Sequence, residues 1–223
     1  MRGRAFLLKE LSERRYIQHN KTSFGLCLPQ PILIIYQINV LTLGGSFMFK
    51  EERDEFKFEW SHLGDIELGR PNLGPTTSVA IYRLMQFTLR DALIKHTDSE
   101  TAERVFYDAG YISGKAIYEN LLVPVKDINE LASKLQDLLK KLNIGILRFE
   151  KLDIENMDFL LTVSEDLDCS GLPIMEEVIC TFDEGLVAGI FEKFTGRPFK
   201  VKEIDCWCTG DRTCRFEAKL ANS

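Results

Sequence analysis

Apolar residues recur at helical spacing in the middle of the chain. A first helix is predicted over about residues 78–96, and a second is predicted to begin after Asp98, a residue type that often caps helices. The apolar face of the first consists of Ile81, Leu84, Met85, Thr88 and Ala92. The inner stripe of the second consists of Ala102, Val105, Phe106, Ala109, Ile112, Ser113, Ala116 and Ile117. Because Gly110 and Gly114 lie one turn apart, another backbone could approach the second helix closely there.

Two later helices are predicted from their start and stop signals. The capping box Asp127-Ile-Asn-Glu130 begins a third helix, which stops at Asn143. The apolar positions of this helix are Leu131, Leu135, Leu138 and Leu142. A second capping box, Thr181-Phe-Asp-Glu184, begins a fourth helix that stops at Gly196. The apolar face of the fourth is Leu186, Val187, Ile190, Phe191 and Phe194.

The spacing changes to alternation in the segments that flank the fourth helix. Residues 144–152 and 157–164 are predicted to be strands, and residues 199–208 and 212–220 are predicted to form a closing hairpin. An earlier alternation, Phe56, Phe58 and Trp60, also has the pattern of a half-buried strand. The chain is therefore expected to be α+β, with an antiparallel sheet of about four strands packed with about four helices.

Composition limits the class of protein. The chain of 223 residues is 45% apolar and 28% charged, which is typical of one soluble globular domain with an appendage at most. The formal net charge of −6 argues against a nucleic-acid partner, since such proteins usually carry a basic excess. No convincing secretory signal opens the sequence, so we expect a cytoplasmic protein with reduced thiols.

Residues 1–47 differ in charge from the rest of the chain. They carry six basic and two acidic side chains, and residues 22–47 carry no charged side chain at all. The apolar run at 32–43 is too short for a membrane span, which needs about 20 residues. Gly44-Gly45-Ser46-Phe47 before Met48 is what a translated ribosome-binding site would encode, so we expect Met48 to be the true start. The expected domains are an extension over 1–47, mis-annotated or disordered, and a binding domain over 48–223.

Three of the six cysteines lie within nine residues, in Cys206-Trp-Cys208-Thr-Gly-Asp-Arg-Thr-Cys214. In the strand that precedes this motif, the inward-facing residues have odd numbers at the start and even numbers at the end. A β-bulge produces such a parity switch, because its extra residue shifts the alternation. A bulge near residues 202–205 would place Glu203 and Cys206 on one side, and the following turn would return Cys214 towards them. Cys180 precedes the fourth helix, whose N-terminal dipole favours a thiolate. Three thiolates and one carboxylate can enclose Zn²⁺ in a closed, structural site.

Other interpretations of these residues stay open. Cys180 could be a small buried hydrophobe, and Glu203 could be a solvated strand residue. Cys208 lies on the same face as Cys206 and competes with Glu203 as a fourth ligand. In an oxidising compartment Cys206 and Cys214 could form a disulfide.

Residues 55–220, and most specifically 160–218, resemble the 4-vinyl reductase (hydrocarbon-binding) domain family. The resemblance rests on Cys180-Thr-Phe-Asp-Glu-Gly-Leu-Val-Ala-Gly189, Thr195-Gly196, Glu203-Ile-Asp-Cys206, Gly210-Asp211 and Cys214-Arg-Phe216. The same residues are similar to effector-sensing domains of aromatic-responsive activators, in which zinc is held at this spacing. The fold is also similar to that of transport-particle trafficking subunits, which dimerise and bury an acyl chain.

The resemblance implies a prokaryotic module that binds a small hydrophobic or aromatic ligand, forms a homodimer and holds structural Zn²⁺ through Cys180, Glu203, Cys206 and Cys214. The phenol-binding His and Trp of the sensors have no counterpart here, because no His follows His96 and the two Trp residues are Trp60 and Trp207. Two alternatives remain: an accessory or catalytic protein of tetrapyrrole vinyl reduction, and a dimeric scaffold subunit. No flavin or nicotinamide fingerprint is present, so an enzyme is the less favoured interpretation.

Overall fold

The computed structural model describes residues 57–221. The predicted start at Met48 and the extension over 1–47 lie outside the described residues. The helices are α1 (Ile66–Gly69), α2 (Val79–His96), α3 (Ser99–Ile117), α4 (Ile128–Lys141) and α5 (Thr181–Thr195). The strands are β1 (Ile146–Asp153), β2 (Asp158–Ser164), β3 (Phe199–Asp205) and β4 (Cys214–Leu220). Two 3₁₀ turns, Trp60–Leu63 and Trp207–Thr209, and a π-helical turn, Tyr118–Leu122, complete the regular structure of this part.

Side-chain caps fix the starts of three helices where the sequence predicts them. Ser78 accepts a hydrogen bond from the Ile81 amide, and Asp98 accepts one from the Thr101 amide. Asp127 accepts from two amides of the first turn of α4. These bonds satisfy amide groups that have no partner within the helix, so each cap defines a boundary.

The predicted capping box at the start of α5 is wrong. Cys180 occupies the N-cap position and makes no side-chain capping bond. Glu184 is buried and accepts a hydrogen bond from the Glu203 amide at 2.8 Å, and Lys202 forms an ion pair with it at 2.9 Å. The Glu184 carboxylate therefore joins α5 to β3, which is a tertiary contact that the local sequence pattern cannot distinguish from a cap.

The four strands form one antiparallel sheet in the order β1-β2-β4-β3. The register of β3 against β4 shifts between Glu203 and Asp205, which confirms the bulge predicted from the parity switch. The predicted alternation at residues 56–60 is wrong for the part that the structure describes. Residues 57–59 have no regular structure, and Trp60 begins a 3₁₀ turn.

Helix α5 forms the centre of the core and α3 packs across it. Phe191 of α5 contacts Phe159 and Phe199 of the sheet, with ring centroids 4.8 and 5.4 Å apart. On its other side α5 meets α3 at glycines. A Cβ atom at Gly110 would lie 1.9 Å from the Phe182 carbonyl oxygen, and one at Gly185 would lie 2.0 Å from the Tyr107 oxygen. The close approach predicted for the second helix is therefore confirmed, and its partner is α5.

Helix α2 does not bury the apolar face that its sequence predicts. Ile81 is 57% exposed, Leu84 61% and Met85 64%, and no residue of this helix is buried. Its half-buried side instead carries polar residues, chiefly Tyr82, Arg83 and Gln86. Among the described helices, none combines the length and apolar character that a membrane crossing requires.

Candidate metal centre and apolar cleft

Four buried cysteines from separate segments meet beside the C-terminal hairpin. Cys169 lies in the loop after β2, and Cys180 lies at the N-terminus of α5. Cys206 follows the β3 bulge, and Cys214 begins β4. Each of these cysteines has an exposure of 0%, so the four sulfurs form a closed group.

The sulfur atoms lie at distances suited to a tetrahedral metal ion. All four Sγ atoms lie within 4.8 Å of one another. Cys169 Sγ is 3.1 Å from Cys214 Sγ, and Cys180 Sγ is 3.7 Å from Cys214 Sγ. A Zn–S distance of about 2.3 Å places tetrahedral sulfurs about 3.8 Å apart, so the four cysteines fit Zn²⁺. The chemistry of the donor set also fits, because soft thiolates favour zinc over magnesium or calcium.

The structure brings together three of the four predicted ligands: Cys180, Cys206 and Cys214. The fourth, Glu203, is buried beside them and outside the group whose ligand atoms are mutually close. Its Oε2 accepts a hydrogen bond from the Cys180 amide at 3.1 Å. Its Oε1 has no hydrogen-bond partner among the described residues.

Cys169 completes the sulfur group and was not predicted from the sequence. It stands alone in Leu167-Asp-Cys-Ser-Gly171, with no neighbouring cysteine or histidine to suggest a ligand pair. Cys208, the predicted competitor of Glu203, is buried and lies outside the group, within the 3₁₀ turn. All five cysteines of the described part of the chain are free thiols.

The sulfurs compete for protons with one another. Hydrogen bonds from the thiols of Cys169, Cys180 and Cys214 lower the pKa of Cys206 far below its usual range. Hydrogen bonds with Cys169 and Cys206, together with burial, raise the pKa values of Cys180 and Cys214. Cys206 is therefore favoured as a thiolate while Cys180 and Cys214 keep their protons. Binding of a divalent cation displaces such protons, because a thiol that ligates a metal is deprotonated.

Buried and half-buried carboxylates lie near the sulfur group. Burial raises the pKa of Glu203 to about 8 and that of Asp166 to about 6. Burial likewise raises the pKa values of Asp168 and Asp183. Asp166 Oδ1 accepts hydrogen bonds from the amides of Asp168 and Cys169 at 2.8 and 3.1 Å. Asp166 therefore shapes the turn that presents Cys169.

The turn around Cys169, which we name the Cys169 loop (residues 165–172), is held by α2. Arg83 donates to the Leu167 carbonyl at 2.7 Å and to the Ser170 carbonyl at 2.9 Å. Tyr82 and Gln86 donate to the two carboxylate oxygens of Asp168, at 2.8 and 2.7 Å. The polar side of α2 thus serves as the docking face for this loop, which explains why the apolar side points outwards.

A cleft of about 300 Å³ lies between α2 and α3 and reaches Phe182 of α5. No lining residue is charged, and the two polar groups, Tyr82 and Gln86, are both bonded to Asp168. The remaining lining residues are apolar or aromatic, and they include Met85, Leu89 and Phe106. Such a surface suits an uncharged hydrophobic molecule.

Comparison of the sequence with known proteins finds relatives that are themselves uncharacterized. One uncharacterized protein of Methanocaldococcus jannaschii is 31% identical over 110 residues, which cover 49% of this chain and 62% of the relative. A second from the same organism is 33% identical over 132 residues, covering 57% of this chain and 60% of the relative. The chain therefore spans about three fifths of the length of these relatives.

Two solved structures share the fold. The phenol-responsive sensory domain of the transcription activator PoxR, solved with phenol, matches with a TM-score of 0.50 and 16% identity over 66% of this chain and 76% of that domain. Trafficking protein particle complex subunit 3 of Naegleria fowleri, covalently bound to palmitic acid, matches with a TM-score of 0.53 and 10% identity. The latter match covers 65% of this chain and 95% of the subunit.

The C-terminal part of the chain also matches a known domain. Residues 159–220, which run from β2 to the end of β4 and contain all four clustered cysteines, match the V4R domain. The match includes the helix and hairpin on which the resemblance to the 4-vinyl reductase domain rests, and it confirms that resemblance. Over residues 159–220 the chain is therefore similar to the V4R domain family.

Proposed function

We propose that this protein is a zinc-stabilised module that binds or senses a small hydrophobic ligand. The observation that carries the proposal is the cleft between α2 and α3, which has no charged side chain in its lining. Both solved neighbours were determined with a hydrophobic organic molecule, phenol in one and palmitic acid in the other. This common feature supports a hydrophobic ligand for the present chain.

The zinc ion has a structural role in this proposal. Four protein ligands would leave no open position for a substrate. Cys180, Cys206 and Cys214 supply three of these ligands, and the distances between sulfurs favour Cys169 as the fourth over Glu203, which the sequence predicts. The ion would join the β3–β4 hairpin to the start of α5 and to the Cys169 loop.

Native mass spectrometry of the full chain, purified without chelator or added metal, tests both parts of the proposal. We expect a mass excess of one zinc ion per chain and an organic adduct that leaves on denaturation. A folded, metal-free protein with intact thiols would contradict the zinc proposal. Reductant-dependent turnover of a vinyl-substituted tetrapyrrole would instead support the alternative of vinyl reduction.

A pair of matched variants tests the position of the ligand. Ala109 lines the cleft, whereas Ala92 is exposed on α2 away from it. In Ala109→Phe the new ring occupies the cleft, so we expect weaker binding of an uncharged N-phenylnaphthylamine probe by at least about tenfold. Ala92→Phe should bind the probe as the wild type does. Equal binding by both variants would place the ligand elsewhere.

We also propose that the protein forms a homodimer through the exposed side of α2. Ile81, Leu84 and Met85 form an apolar strip that is more than half exposed in the monomer. Strips of this kind commonly mark interaction surfaces. Light scattering should give a dimer for the wild type and a monomer for Leu84→Glu. The control Leu68→Glu changes an equally apolar residue that is 78% exposed on α1 and should remain dimeric.

A further inference from the structure

Among the described residues, the hydrogen bonds from side chains of α2 to other elements end within three residues of cysteines of the sulfur group. Tyr82, Arg83 and Gln86 bond the Cys169 loop, as described above. Farther along the helix, Arg90 donates to the Thr181 hydroxyl, which follows Cys180 directly, at 3.2 Å. No residue of α2 is fully buried, so these polar contacts restrain its position together with the packing of Phe87 and the stacking of Arg90 on Phe106.

The contacts of Arg83 require one particular shape of the Cys169 loop. Its Nη2 atom donates to the carbonyl oxygens of Asp166 and Ser170, at 3.3 and 2.9 Å, and its Nε atom donates to that of Leu167 at 2.7 Å. Three carbonyls can converge on one side chain only while the loop stays curled around Cys169. The opposite end of the loop is fixed from the hairpin side, where the Trp207 indole donates to the Leu172 carbonyl at 2.9 Å.

The loop therefore lies between two sites. On one side Cys169 belongs to the sulfur group, and on the other side Asp168 bonds Tyr82 and Gln86, which line the cleft. We propose that the Cys169 loop couples metal binding to the cleft, so that an occupied metal centre docks α2 and forms the hydrophobic binding site. This inference rests on the proposed function of the cleft and of the sulfur group.

The coupling has two states and a reciprocal consequence. In the docked state the loop is curled and α2 closes the cleft; in the undocked state the contacts of Arg83 and Asp168 are broken. Metal binding favours the first state because it fixes Cys169 beside Cys214. By thermodynamic linkage, a ligand in the cleft must then raise the affinity for metal by the same factor, typically about 5- to 150-fold.

Hydrogen–deuterium exchange on the full chain tests the docking step without any ligand. Chelation of the metal should speed amide exchange in α2 by at least about tenfold, while exchange in α4 changes much less. In Arg83→Gln, exchange in α2 should be fast with or without zinc. Arg104→Gln is the matched control, since Arg104 of α3 bonds only the nearby Thr101 hydroxyl among the described residues. Equal acceleration in α2 and α4 would mean that the metal supports the whole fold, and would overturn the coupling.

Titration with the uncharged N-phenylnaphthylamine probe tests the second step. The wild type should bind the probe about tenfold more tightly with zinc than without it. Arg83→Gln, and the milder Tyr82→Phe, which keeps its ring in the cleft and loses the bond to Asp168, should show a smaller ratio. Binding that is equally tight with and without zinc would overturn the coupling and leave the proposed ligand site intact. Failure of every form to bind the probe would overturn both.

Discussion

At the scale of single residues, the main question is the fourth ligand of the metal. Cys169 offers a sulfur atom within the tetrahedral group, whereas the Oε2 atom of Glu203 is engaged by the Cys180 amide. A carboxylate that holds the backbone of a ligand residue acts as a positioning group, and such groups typically affect metal affinity by about 10- to 100-fold. In the proposed zinc site, we therefore expect the Cys169 thiolate to be the fourth ligand and the Glu203 carboxylate to be a positioning group.

Cobalt substitution distinguishes these roles. Sulfur-to-cobalt charge-transfer absorption scales with the number of bound thiolates, so Cys169→Ser should lose about a quarter of its intensity. Glu203→Gln should keep the full intensity and show only weaker binding. The opposite result, a changed spectrum in Glu203→Gln and an unchanged one in Cys169→Ser, would return the fourth position to Glu203.

The sequence predicted three of the clustered cysteines because they are marked locally. Cys180 precedes a helix, and Cys206 and Cys214 flank a turn with a bulge before it. Cys169 has no such mark, since its position depends on a loop that α2 holds in place from a point more than 80 residues earlier in the chain. Contacts between residues so far apart along the chain produce no periodic pattern in the sequence.

At the scale of elements, the crossing of α3 and α5 is the tightest contact between helices. Gly110 and Gly114 of one helix face the backbone of α5, and Gly185 and Gly189 of the other face the backbone of α3. At these four glycines the two helices therefore meet through main-chain atoms, with no side chain between them that could move aside. A methyl group added here must displace a whole helix.

Gly114→Ala should accordingly destabilise the protein by about 3 kcal/mol, at the upper end of the usual cost of overpacking. Its Cβ would lie 2.1 Å from the Leu186 carbonyl oxygen. Gly69→Ala is the control, because a Cβ atom at Gly69 of α1 meets no atom within 4 Å. Urea unfolding followed by circular dichroism measures both. Equal midpoints for the two variants would show that the helices separate at little cost.

The elements also differ in how well their sequences predict them. Helix starts at Ser78, Asp98 and Asp127 follow from local hydrogen bonds, and the structure has all three. The outward apolar side of α2 could not be predicted, because amphipathic spacing normally places apolar residues against the core. In this helix the buried partner is a loop rich in carbonyl and carboxylate oxygens, which requires polar donors.

At the scale of the whole molecule, the sulfur group joins four separate segments of the sheet and its helices. In the proposed site, zinc would bind the folded chain, where these segments meet, and would stabilise it by mass action. At a free zinc concentration about 1,000 times the dissociation constant, this stabilisation is about 4 kcal/mol. For a domain of this size, the melting temperature should then rise by about 10 °C.

Calorimetry with and without chelator measures this rise. Cys214→Ser should lose it, whereas Cys208→Ser, which removes a buried thiol outside the group, should keep it. A rise that survives in Cys214→Ser would place the bound zinc at other residues.

The strand order has a consequence for how the protein folds. Strand β4 is the last of the described strands along the chain, yet it occupies a central place between β2 and β3. Until β4 enters, both neighbours present open edges with unpaired backbone groups, and such edges invite pairing with other chains. The same strand brings Cys214, without which the sulfur group is incomplete. In the proposed site, metal binding would therefore wait for β4, whose pairing covers the inner edges of β2 and β3.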